Sequence, residues 1–117
     1  MNPPQAASAR SRPHHRGEVW WADNGGKVRP VVITTRNGLV RSLTSLIVVP
    51  CTSTVRGVRS EVPLGPSDGL PQSCVANTLN VTTLPVTSFR SLICQLDEPK
   101  LDALCAALNW SQACSFW

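Results

Sequence analysis

The sequence predicts a mainly-β domain, a compact antiparallel barrel or sandwich covered by one C-terminal helix. Three observations carry this. Short runs rich in Val, Ile, Thr and Trp recur between Glu18 and Leu96, and clusters of Gly, Asn, Asp, Ser and Pro separate them. A helical periodicity appears only after Asp97. With 117 residues, 42% of them apolar, the chain has room for one modest core and not for two.

Residues 1–15 carry Pro, Ser and Arg without periodicity and read as a flexible basic tail ahead of a single domain over 16–117. EVWWA (18–22) is the first strand. PVVITTR (30–36) is the second, with Pro30 at its start, where a missing N–H is harmless. SLIVVPCT (45–52) is the third, and Pro50 near its end points to an edge or a bulge. SEVPLG (60–65) is a short fourth strand. SCVANTLNVTTL (73–84) holds a fifth, bent around Asn77, and SLICQL (91–96) a further short one. The stretches DNGG, RNG and GPSDGLP supply turns. Asp97 is suited to an N-cap and Pro99 to a first helical turn. Leu101, Leu104, Cys105 and Leu108 then repeat at helical spacing, so one amphipathic helix is expected over about 98–110.

No apolar run is long enough to span a bilayer, and the N-terminus lacks the hydrophobic core of a secretory signal, so a cytoplasmic protein is expected. The cysteines at 51, 74, 94, 105 and 114 have no paired spacing, and the two histidines, His14 and His15, sit together in the polar tail. No metal or cofactor is expected, and the cysteines read as small buried hydrophobes in a reducing compartment. The net charge of +4 is concentrated in the tail and the strand region, while the segment after Leu96 is mildly acidic. Such a balance is compatible with a polyanionic partner.

Several chemistries are excluded early. The sequence has no GxSxG, P-loop or HExxH motif, no histidine in the predicted body, and no obvious pair among Glu18, Asp23, Glu61 and Asp68. What remains is arginine, hydroxyl, amide and backbone donors. A guanidinium offers a planar fork to two phosphate oxygens at every working pH, and a nearby threonine adds one donor. Arg29, directly before Pro30, fits this role. It fits equally well as a rim residue in a salt bridge to Asp23.

The order RGEVWWAD (16–23), GGKVRPVVI (25–33), PCTST (50–54), SEVPLG and CVANTLNVTTL, followed by the terminal helix, resembles the MazF/PemK family of toxin endoribonucleases over Arg16 to about Asn109. The resemblance implies a small SH3-like antiparallel β-barrel with helical additions, of the MazF/PemK/CcdB type. It implies a homodimer that cuts single-stranded RNA at short motifs, without metal, through a 2′,3′-cyclic phosphate. A MazE-like antitoxin with an acidic C-terminal segment would occupy the same groove. By position, the family's catalytic arginine falls on Arg29 and its strand-end threonine on Thr52. RNA contacts would come from Asp23, Asn24, Lys27, Ser53, Arg56, Asn77, Asn80 and Thr82, with the Asn24–Gly26 turn as a flap. The chain departs from many relatives in its short NGGKV turn and its neutral NVTTL. The alternatives are a CcdB-like toxin that binds gyrase and cleaves nothing, and a catalytically weak RNA-binding module that keeps the groove without turnover.

Other residues keep two readings. One of Trp20 and Trp21 belongs to the core, and the other either stacks a base or packs on the barrel surface. Asn77 and Asn80 read base edges or cap a strand bend. Arg56 and Arg59 form a solvated loop or meet phosphate. Trp110 and Trp117 hold the helix on the sheet or line a dimer contact. Lys100 is expected on the helix surface.

Overall fold

Gly25 and Gly26 both take positive φ, +68° and +87°, the conformation that two-residue hairpin turns need to match the twist of their strands. They join β1 (Glu18–Asn24) to β2 (Lys27–Ile33) in the computed structural model, which describes residues 14–113. A one-turn helix α1 (Asn37–Val40) leads to β3 (Ser45–Thr52). Then come β4 (Glu61–Leu64), β5 (Cys74–Asn77), β6 (Thr82–Pro85), β7 (Phe89–Gln95) and α2 (Glu98–Gln112). Mainly β with a terminal helix is therefore the fold, as expected.

All pairings are antiparallel, in the order β4-β5-β3-β2-β1-β7, with β6 also on β3. The expected barrel is an open sheet: among the described residues no pairing joins β4 to β7. β3 is the hub. Its first half, Ser45–Val48, pairs with β6, and its last residues, Cys51 and Thr52, pair with β5. Pro50 falls at the switch between those partners, where an absent donor costs least.

The expected fifth strand over 73–84 is two strands. Asn77 caps a tight turn at Thr78–Asn80 by accepting from Leu79 N at 3.0 Å. The buried Thr78 hydroxyl donates to Ser60 O at 2.8 Å, pinning that turn. The chain can then return along the other end of β3.

Val31, Val32 and Ile33 are all fully buried, because the β1–β2–β3 sheet is covered on both faces. One face carries Val19, Val32, Val49 and Cys51 and packs under Leu104 and Ala107 of α2. The other carries Trp20, Val31, Ile33, Val48 and Phe89. Trp20 is thus the core tryptophan and Trp21 is half-buried. Asp97 caps α2 through Lys100 N at 3.2 Å.

Three expectations need correction. His14, read as tail, is buried: its ring stacks on Trp20 at 4.5 Å and meets Phe89 edge-on at 5.0 Å. His15 donates its backbone N–H to Glu18 at 3.1 Å. Lys100 is more than surface, since its ammonium donates to Pro63 O at 2.6 Å and lies 3.9 Å from Asp68. Residues 1–13 of the expected tail, Cys114 and Trp117 lie outside the described residues.

Candidate active site

The β2–β3 ladder is only three pairs long, Val31↔Pro50, Val32↔Val49 and Ile33↔Val48. It stops at Pro30, which lacks the N–H that would face β3 and carry it further. Extending the register by two residues sets Arg29 opposite Thr52. These two side chains belong to the face of Val31 and Pro50, so both look into the gap where the strands diverge.

On that face the gap widens into a groove of about 700 Å³. The hairpin supplies Asn24, Lys27 and Arg29; the end of β3 and its exit loop supply Thr52, Thr54 and Arg56; the turn after β5 and the start of β6 supply Asn77, Asn80 and Thr82. The lining holds three cations and no carboxylate. Thr52 Oγ1 accepts from Thr54 N at 3.2 Å, which leaves its own proton to donate into the groove.

Eight of the ten predicted site residues line this groove. Ser53 opens instead into a second chamber of about 250 Å³ behind the same gap, whose wall also includes Arg29, Cys51 and Thr52. Asp23 is not brought in. It pairs with Val28, on the opposite face of the hairpin from Arg29, where its carboxylate accepts from Gly26 N at 2.9 Å and meets Arg90 at 3.3 Å. Arg29 therefore has no ion pair among the described residues, and the rim salt bridge to Asp23 does not form.

Sequence reasoning missed Glu61. Its buried carboxylate accepts from Arg56 N at 3.0 Å and Gly57 N at 2.9 Å, folding the loop so that Arg56 reaches the groove. A lone glutamate in SEVPLG carries no local sign of this. Arg59, in the same loop, lies over the Trp110 ring at 5.0 Å and ties the loop to α2. Asn77 spends its side-chain oxygen on its cap, so its amide N–H₂ is what remains for a ligand.

The four described cysteines are free. A hydrogen bond shared with Cys74, then burial, push the Cys51 thiol well up, and the same bond holds Cys74 below an ordinary thiol. Burial raises Cys94. Cys74 forms thiolate at lower pH than Cys51 and is half-buried rather than buried. Iodoacetamide at neutral pH should thus label Cys74 several-fold faster than Cys51 in a peptide mass map, the gap narrowing as pH rises. Equal labelling would contradict the assignment.

A small open β-sheet with a cationic, carboxylate-free groove, holding a guanidinium opposite a hydroxyl, defines a protein built to grip a polyanion. The chain belongs to the family of PemK-like, MazF-like toxins of type II toxin–antitoxin systems, whose model matches residues 15–111. It is 38% identical over 100 residues to "Probable endoribonuclease MazF2" of Mycobacterium tuberculosis, covering 85% of this chain and 98% of that one. It is 39% identical over 83 residues to "Endoribonuclease MazF3" of the same species, covering 71% and 81%. The solved structure of Mycobacterium tuberculosis toxin MazF-mt6 superposes with a TM-score of 0.79 at 33% identity, over 85% of this chain and 99% of that chain. These matches favour the endoribonuclease relatives over the CcdB-like alternative.

Proposed function

We propose that this protein is the cytoplasmic toxin of a type II toxin–antitoxin pair, a metal-independent, sequence-selective endoribonuclease acting on single-stranded RNA. One observation supports this most. Arg29 faces Thr52 across a groove free of carboxylates, while the acid that would neutralise it is engaged by Arg90.

In this reading the substrate brings its own nucleophile. The 2′-oxygen attacks the adjacent phosphorus as its proton passes to solvent. The P–O5′ bond then breaks, giving a 2′,3′-cyclic phosphate, and the leaving 5′-oxygen takes a proton from water to become a 5′-OH. Arg29 offers its fork of N–H donors to the non-bridging oxygens as their charge grows, and Thr52 donates one more hydrogen bond. Arg29 acts here as a fork of donors and not as a proton shuttle. Lys27 and Arg56 hold neighbouring phosphates, while Asn24, Asn80, Thr82 and the Asn77 amide give neutral contacts. A protein of this kind acts as a homodimer, and the same three cations suit the acidic C-terminal segment of a MazE-like antitoxin. Among the described residues no helix is long and apolar enough to cross a membrane.

The test is incubation of the purified protein with total RNA in EDTA, followed by mapping of new 5′-OH ends. Discrete cuts support the reading; intact RNA with inhibited gyrase would overturn it. Thr52→Val should slow cutting about tenfold or more and Thr52→Ser should recover most of it, because serine restores the hydroxyl donor.

A further inference from the structure

We propose that the smaller chamber receives one unstacked nucleobase of the substrate, next to the scissile phosphate, and that Gln72 and Ser73 read its hydrogen-bonding edge. This rests on the ribonuclease reading above and names a subsite for it. The groove and the chamber share Arg29, Cys51 and Thr52 as a common wall, one on each side of the diverging strands. A phosphodiester held between Arg29 and Thr52 has a nucleotide on either side. One of these continues along the groove, and the chamber opens at that same wall.

The two spaces differ in chemistry. The groove carries Lys27 and Arg56 besides Arg29, whereas the chamber has no charged lining residue except the shared Arg29. It is therefore not built for phosphate. At about 250 Å³ it lies below the ~300–1,000 Å³ of clefts that take drug-sized ligands, which suits a single ring system better than a run of nucleotides. Trp21 and Pro30 are cross-strand partners on one face of the hairpin and give it a flat apolar wall. Leu70, almost fully buried, contributes a second apolar surface. Ser53, Gln72 and Ser73 are exposed polar groups in the same lining. A neutral, planar group with a polar edge matches this set. A glutamine amide presents a donor beside an acceptor, the pattern with which side chains read base edges, and a tryptophan face supplies stacking.

The experiment cuts a pool of RNA randomised around one known cleavage site with the full-length protein, Gln72→Ala, Ser73→Ala and the double variant, sequencing the 5′-OH ends. Both positions are exposed, and melting temperatures within a degree or two of the parent confirm that the variants fold. Base preference at one nucleotide flanking the cut should fall about tenfold in the double variant, with preferences elsewhere unchanged. An RNA abasic at that nucleotide should be cut equally by parent and variant. A variant motif identical to the parent's at every position, or a loss spread over all positions, overturns the assignment while leaving the nuclease reading intact. Absence of discrete cuts by the parent itself overturns both.

Discussion

Arg29→Ala is expected to lower the rate of RNA cleavage by on the order of 10²-fold or more, the scale set by losing one preorganised donor to a developing oxyanion. The substitution removes the one guanidinium that the β2 strand brings into the groove beside Thr52. Lys27 lies two residues away on the same face but presents a hydrated point charge rather than a planar fork. For the same reason Arg29→Lys should restore little of the rate. Binding should change far less, because Lys27 and Arg56 remain to hold phosphates, so single-turnover cleavage and fluorescence anisotropy should separate. Stability should hold as well: Arg29 makes no ion pair among the described residues, and its removal leaves no buried partner unsatisfied. A variant that cuts RNA at the parental rate would remove Arg29 from the chemistry.

The sequence made some of this legible and hid the rest for physical reasons. β3 is readable to the residue because its apolar run Leu46–Val49 continues through Pro50 and Cys51 and is bounded by Ser45 and Thr52. β2 begins three residues earlier than expected. Its turn at Gly25 and Gly26 is so tight that Lys27, Val28 and Arg29 are already paired to β1, and propensity alone does not show that. The division of β5 from β6 depends on a buried threonine hydroxyl reaching Ser60, a contact with no local signature. His14 was missed because a polar histidine outside any periodic run gives no sign of the aromatic pair that encloses it.

The site divides along the same line. Arg29 and Thr52 could be nominated from residue type and family resemblance, but their opposition is a property of register: one proline, Pro30, ends a ladder and lets its strands diverge. Asp23, near Arg29 in sequence, is carried away by strand alternation, which turns neighbouring pairs to opposite faces. The chamber residues come from a segment some forty positions further on, linked to Arg29 only through β5 and β3. Topology, not pattern, joins them.

Glu61→Ala should reveal how the groove is held in shape. This carboxylate is buried at the start of β4 and accepts backbone N–H bonds from Arg56 and Gly57, the latter at φ +70°. Hydrogen bonds to a charged acceptor are worth ~1.5–3 kcal/mol each, but the freed N–H groups lie in an exposed loop and can return to water. The net cost is therefore expected at about 2–3 kcal/mol, a fall of roughly 8–20 °C in melting temperature for a domain of this size. Glu61→Gln keeps an acceptor oxygen and should lose about half as much. Hydrogen exchange at the Arg56 and Gly57 amides should quicken in both variants, while the β1–β2 ladder stays protected. On RNA the effect should appear mainly as a raised KM, because Arg56 would grip a phosphate away from the cut, whereas Arg29 and Thr52 are held by strands that Glu61 does not touch. A Glu61→Ala protein that melts with the parent would show that the loop is held by its Arg59–Trp110 contact rather than by the carboxylate. A loss of kcat at unchanged KM would place Arg56 at the scissile phosphate itself.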